Sequence, residues 1–474
     1  MHHIDPLSLG SRREFLRRVG MGLGGVAMAS LLQQELRGAD IRVDPLHPLA
    51  ARKAPLPCKA KRVIHIFANG GASQVDTFDR KIALDKYHGK TLPGDYIATE
   101  RRTGSAFRSP FSWKRYGKSG LEVSELFAKT AEHADDLCVI RSMKADVPNH
   151  EPSLLLMNCG EARQVRPSMG SWVTYGLGTE NQDLPGYITI CPTLTHGGVN
   201  AYSSAFMPAV YHGTPLGNAG ISSDQAKIPF IENADKLPRS LQSRELSLLQ
   251  QMNQEHLAGS GPDAALEGRI NSFELAFRMQ TAAPELQNLS TESEATQKMY
   301  GLDKPQTANF GRQCLMARRF AERGVRFIQC THSYKWDQHG GLKADHGRNA
   351  MEVDQPIAAL LTDLKSRGLL DDTLILWGGE FGRTPVAQGD DGRDHNPQGY
   401  TMWLAGGGVK PGIRYGETDD YGYYAVKDKV HLHDLHATML HLLGLDHLKL
   451  TYKFAGRDFR LTDVHGEVVH DLIA

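Results

Sequence analysis

The chain has 474 residues, with Lys+Arg and Asp+Glu balanced at 54 each and 21 histidines. That length suits one large α/β domain with insertions or two domains, and a formal net charge of zero supplies no global field for nucleic acid or an anionic membrane surface. Six cysteines, at 58, 138, 159, 191, 314 and 330, show no CxxC or finger spacing, which argues against a cysteine-ligated zinc site.

The N-terminus reads as an address and not as part of the fold. Residues 11–18 (SRREFLRR) carry a twin-arginine pattern, and the mildly apolar run 19–32 that follows is too short and too weak for a membrane span. This predicts a twin-arginine signal over residues 1–39 and export to the periplasm or the cell exterior. Folding before export would occur in a reducing compartment, so disulfides need not hold the protein together. Residues 40–60, rich in Pro, Ala and Lys, read as a linker. No other segment is long and apolar enough to be an integral membrane helix.

From residue 61 the chain alternates strands and helices. Residues 63–68 read as a buried strand ending at Asn69-Gly70-Gly71, with Asp76 and Asp79 in the loop beyond. Residues 121–134 predict an amphipathic helix, and 137–140 a strand ending at Arg141. Glu151 and Pro152 suit the first turn of a helix that opens at His150. A short strand covers 187–190. Between about 195 and 300 the composition turns Gly/Ser/Pro-rich and then helical, which reads as a cap inserted over the sheet.

The α/β rhythm then resumes with a helix over 310–322, stopped at Gly324, and a strand over 325–330. A helix over 350–367 places Leu360, Leu361 and Leu364 on one stripe and stops at Gly368. Strands over 374–377 and 400–405 and a helix over 434–443 complete the series. The alternation predicts a doubly wound, mostly parallel sheet flanked by helices, all within residues 61–474.

Ligands of such sheets bind beyond the carboxyl ends of the strands. Asp337 and His339 follow the 325–330 strand, Glu380 and His395 follow 374–377, and Asn69 or Asp76 follows the first. An Asp/His/Glu/His set without cysteine suits Zn²⁺, Mn²⁺ or Fe better than Ca²⁺ or Mg²⁺. One such ion, or two held about 3.5–4 Å apart, would clamp the oxygens of a phosphoryl or sulfuryl ester. Arg141, Arg383 and Arg393 are candidates to grip a tetrahedral anion in bidentate fashion. Taken singly, any His or Asp among these reads as a satisfied polar group or turn former sooner than as a ligand. Glu380 could cap the next helix or pair with Arg383, and Asp394 is ordinary turn chemistry. His433, His436 and His441 read as structural, and His196 and His212 lie in the insertion with nothing in their spacing to assign them a ligand.

Five segments carry a resemblance: NGGASQVDTFD (69–79), WDQHGGL (336–342), GGEFGRTP (378–385), GRDHNP (392–397) and HDLHATMLHLLG (433–444). On these the chain resembles the alkaline-phosphatase and sulfatase superfamily, and within it the sulfatase-like family of twin-arginine-exported bacterial proteins called domain of unknown function 1501. The resemblance implies an alkaline-phosphatase-like fold and metal binding through Asp337, His339, Glu380 and His395. Residues 150–160 have the length of the sulfatase segment whose first residue becomes formylglycine. Here His150 stands in that place and Leu154 replaces the segment's arginine, so formylglycine chemistry is excluded there. His150 is left as a ligand, a general acid, a phospho-accepting nucleophile or a helix-capping histidine.

The reading that follows is an exported, metal-dependent hydrolase of sulfate or phosphate esters on a small molecule or glycan. Its rivals are a non-catalytic binding or envelope protein that keeps the fold, and a metal-dependent isomerase or phosphomutase.

Overall fold

The computed structural model describes residues 43–44, 47–97, 99, 101–229, 231, 237–260 and 264–474. The predicted signal, residues 1–39, lies outside the described residues. From residue 47 the chain lies along the domain: the Arg52 amide donates to the Leu177 carbonyl (2.9 Å) and the Leu56 amide to that of Gly444 (2.9 Å).

The main sheet is built from β1 (Arg62–Ala68), β2 (Leu137–Lys144), β3 (Tyr187–Ile190), β4 (Thr214–Leu216), β5 (Phe327–His332), β6 (Thr373–Gly378), β9 (Tyr400–Ala405), β10 (Ile413–Tyr415) and β11 (Val430–His431). Its order is β10-β2-β9-β6-β1-β5-β3-β4, with β11 beside β2. Every residue of β1, β5, β6 and β9 is buried, as strands covered on both faces must be. Consecutive residues of β5 show the two cover layers. Gln329 bonds Asn158 of α1 (His150–Cys159) at 2.9 Å, whereas the Cys330 thiol points to the Gln313 carbonyl of α5 (Pro305–Glu322). Among the helices between are α2 (Met169–Leu177), α3 (Arg239–Ser260) and α4 (Ala264–Gln287), and α6 (Leu342–Ser366) and α7 (Leu432–Leu442) follow.

Strand direction positions the site. β1 pairs in parallel with both β5 and β6, and the three end together, with Ala68 beside His332 and Phe67 beside Gly378. β9 runs antiparallel to β6 and β2 antiparallel to β9, so two reversals point β2 the same way as β6. β3 is parallel to β5. The loops after β1, β2, β3, β5 and β6 therefore all leave from one edge, although they are far apart in sequence.

Two expectations change. Residues 121–134 hold no α-helix. Leu121–Ser124 is a strand paired antiparallel with Trp113–Tyr116, and two 3₁₀ turns follow. Leu121 and Val123 are buried with Glu122 between them, which is the period of a strand, and Gly117 and Gly120 supply the left-handed turn. The stretch 378–397 is also more ordered than a loop. It folds into an antiparallel hairpin of β7 (Gly382–Gln388) and β8 (Gly392–Asn396), with Thr103–Ala106 added at its edge. Within the 195–300 stretch, β4 joins the main sheet beside β3. No helix among the described residues is long and apolar enough to cross a membrane.

Candidate metal centre

Close backbone approach brings the loops together. A Cβ on Gly70 would meet the backbone nitrogens of Trp336 and Asp337 at 2.9 Å, and one on Gly392 would overlap the His339 carbonyl. Glycine at these two positions lets the loop after β5 slot between the end of β1 and the β7–β8 hairpin. Asn69 fastens the same loop, its Oδ1 accepting from the Tyr334 amide at 2.9 Å and its carbonyl from that of Trp336 at 3.3 Å.

Asp337 Oδ1 is the meeting point. It lies 2.7 Å from Arg383 Nη2, 3.0 Å from His339 Nε2, 3.1 Å from His395 Nε2 and 3.3 Å from His150 Nε2. His150 opens α1, Asp337 and His339 follow β5, and His395 sits on β8, so three separate segments converge. Two overlapping sets of donor atoms result: His150, Asp337 and His395, and His339, Asp394 and His395. Within each set every donor lies within 4.8 Å of the others. Donors bonded to one tetrahedral ion at about 2.0–2.1 Å stand roughly 3.3 Å apart, so the spacing fits a shared cation.

The outer nitrogens decide what the inner ones offer. His150 Nδ1 is 2.8 Å from Glu380 Oε1, and His395 Nδ1 is 2.6 Å from the Pro148 carbonyl. Both partners are acceptors, so each Nδ1 carries the proton, and a neutral ring then aims a bare Nε2 lone pair at the Asp337 carboxylate. The buried His150 Nε2 makes no hydrogen bond. Lone pair facing lone pair is repulsive unless a proton or a metal cation lies between. Carboxylate–histidine and carbonyl–histidine contacts of this kind orient metal-binding imidazoles.

Charge points the same way. Glu380, Asp337 and Asp394 bring three carboxylates against the one guanidinium of Arg383, an excess of negative charge that a proton or a metal cation offsets. Burial opposes charging of His150, but its contacts with Asp337 and Glu380 outweigh that and push it up to about 9. At His395 burial prevails and holds the imidazole below its ordinary value. Burial would raise Asp337, yet the three imidazoles and Arg383 keep it far below the usual carboxylate range. One histidine of the cluster thus favours a proton, while another resists it and is left with a lone pair for a metal.

Glu380 is fully buried behind His150, where it also accepts from the Gly70 amide (3.0 Å) and Asn69 Nδ2 (3.4 Å). Arg383 has no exposure, and its guanidinium donates to the carbonyls of Gly70, Gly71 and Arg393 besides Asp337. Asp76 and Arg393 stand apart as a fully buried pair, Nε to Oδ2 at 2.7 Å and Nη2 to Oδ1 at 3.3 Å. Ser73 Oγ adds 2.5 Å to the same carboxylate, and the Arg393 guanidinium covers the Phe107 ring at 4.7 Å. Arg141 lies elsewhere, 3.8 Å from Asp79 and bonded to the Gly416 carbonyl at 3.4 Å.

Over residues 60–473 the sequence matches the family described as Protein of unknown function (DUF1501). The chain belongs to the DUF1501 family. No curated protein matches it in sequence. Among solved structures it is similar to Ps i-CgsB, at 10% identity over 82% of this chain and 73% of that one, with a TM-score of 0.37. It is also similar to the PsFucS1 sulfatase from Pseudoalteromonas sp. (12% identity, 82% and 68% covered, TM-score 0.34) and to the alkaline phosphatase of the Antarctic bacterium TAB5 (9%, 82% and 99%, 0.35). Likenesses this distant carry nothing about what the chain binds or does.

In this DUF1501 protein three site residues escape a reading of spacing. Asp394, which reads as turn chemistry, is buried with Oδ1 3.8 Å from His339 Nδ1. Tyr334 and His196 pack on His150 at centroid distances of 5.0 and 5.6 Å. No local pattern marks these two, because they come from the ends of different strands. The HDLH histidines serve α1: His433 Nε2 meets the Gly160 carbonyl at 2.9 Å and His436 Nε2 that of Met157 at 2.8 Å, satisfying the last turn of the helix that begins with His150.

Proposed function

We propose that the protein is an exported hydrolase of sulfate or phosphate esters that works with a divalent metal, Zn²⁺ or Mn²⁺ in preference to Ca²⁺ or Mg²⁺. The observation that carries the reading is the meeting of three imidazole Nε2 atoms on Asp337 Oδ1 at 3.0–3.3 Å, with the Nδ1 of His150, His339 and His395 facing Glu380 Oε1, Gln388 Oε1 and the Pro148 carbonyl. His150, Asp337 and His395 would hold the ion, and His339 and Asp394 share His395 with them as a second donor set. When bound it supplies an activated water at neutral pH and neutralises charge on the ester.

The remaining groups orient and exclude. Glu380 keeps the His150 ring turned inward, the Pro148 carbonyl does the same for His395, and Arg383 fixes Asp337 from the buried side. His150 stands between two carboxylates, which suits a ligand better than a nucleophile. Export by the twin-arginine route is part of the proposal and rests on residues 11–32. A glycan or small-molecule ester is the substrate class.

A second reading, a metal-holding binding protein without turnover, is favoured by the Arg383 guanidinium, which its carbonyl partners and Asp337 occupy and turn away from an incoming anion. Elemental analysis of the purified protein, with a panel of aryl sulfates and aryl phosphates, separates the two. Bound metal with turnover supports the hydrolase, metal without turnover supports the binding protein, and metal-free, inert protein overturns both.

A further inference from the structure

On the outer side of the cluster two rings lie face to face. The His196 imidazole is parallel to the Tyr334 phenol, with 4.7 Å between centroids and 5° between planes. Both rings also pack on His150, which is itself buried. Tyr334 comes from the loop after β5 and His196 from the loop after β3, neighbouring parallel strands whose loops leave the same edge of the sheet. Each adopts left-handed backbone, φ +51° for Tyr334 and +45° for His196, a region that residues with side chains rarely enter. Such outliers persist where the surroundings hold them, and they gather at ligand sites. The Tyr334 amide is held by Asn69 Oδ1. His196 is exposed, and one face of its ring is taken by Tyr334.

We propose that the His196–Tyr334 stack selects the substrate, taking a flat aromatic ring joined directly to the ester oxygen and laying it on the free face of His196. The inference rests on the ester-hydrolase reading, because an anion seated at Asp337 and its histidines is what brings the ring to the stack. Imidazole and phenol faces favour a planar π partner in offset stacking over an alkyl group of similar size. The two residues determine specificity and take no part in bond cleavage.

The test is direct binding to the Zn²⁺-loaded protein, by titration calorimetry, of phenylphosphonate against methylphosphonate and of benzenesulfonate against methanesulfonate. Each pair offers the same anion with and without the ring. Wild-type protein should prefer the aromatic member. That preference should fall roughly three- to tenfold in His196→Ala, the size of one aromatic contact, and return in His196→Phe, which restores a flat ring. His196 is exposed, so these substitutions leave the core intact. A preference unchanged in His196→Ala overturns the inference while anion binding keeps the hydrolase reading alive. Failure of every anion to bind the metal-loaded wild type overturns both.

Discussion

Glu380→Gln isolates the charge that orients His150. In the native site Oε1 faces the Gly70 amide at 3.0 Å, Asn69 Nδ2 at 3.4 Å and His150 Nδ1 at 2.8 Å, whereas Oε2 faces the Gly70 amide alone, at 3.2 Å. A glutamine amide oxygen in the Oε1 position keeps all three contacts, and its NH₂ group replaces the oxygen with the least to lose. Shape is conserved and only the negative charge behind the imidazole goes. Partners of this kind alter metal affinity by about 10- to 100-fold, or about 1.4–2.8 kcal/mol. The assay is Zn²⁺ affinity by competition with a chromophoric chelator, with thermal unfolding at saturating Zn²⁺ as a folding control. The expected result is a 10- to 100-fold weaker site at unchanged stoichiometry. A loss beyond about a thousandfold would make Glu380 a ligand in its own right, and unchanged affinity would make it a mere packing group; either result refutes the placement argued above.

Three further outcomes follow from the packing. Asp76→Asn leaves Arg393 charged and unpaired in a fully buried place; urea unfolding should show a loss of about 3–5 kcal/mol, and a loss under about 1 kcal/mol would mean the pair is solvated in solution. Burial holds His65, His346 and His436 down at about 3. Below about 6.5 the unfolded chain binds protons that the folded chain refuses, so stability is complete above that pH and falls as pH drops toward 3, by up to about 1.4 kcal/mol per pH unit for each histidine. Denaturation midpoints from pH 7.5 to 5 should decline accordingly, and a flat profile contradicts the buried neutral state. Gly70→Ala, with φ at +111° and the Trp336 and Asp337 backbone in the way, should displace Asp337 and abolish Zn²⁺ binding by the same chelator assay. Tight binding in this variant would show that the loop after β5 is not held by that contact.

Much of the fold is legible in the sequence because strands buried on both faces are runs of branched apolar residues ended by glycine. Residues 63–68 and 374–377 show this and lie at the centre of the sheet. The stretch 121–134 departs from the predicted helix for a local reason: Leu121 and Val123 alternate with Glu122 over only four residues, and the Gly117–Gly120 turn pairs them with Trp113–Tyr116. The helix predicted over 350–367 begins earlier, at Leu342. Of the candidate site residues, His150, Asp337, His339 and His395 meet around one point, Glu380 and Arg383 stand behind it, and Asp76, Arg393 and Arg141 lie elsewhere.

What the sequence determined by itself was the class of fold and the loops that carry the candidate site, since hydrophobic period and glycine punctuation are local properties that each segment carries alone. Tertiary structure decided which imidazole nitrogen faces inward, which carboxylate is central and which arginine is already taken. Those depend on the register of β1, β5 and β6, on the two reversals that turn β2 toward the same edge, and on hydrogen bonds between residues far apart in sequence, such as Asn69 and Glu380, which are 311 positions apart. No window of the chain contains both ends of such a contact, so only the folded molecule could supply it.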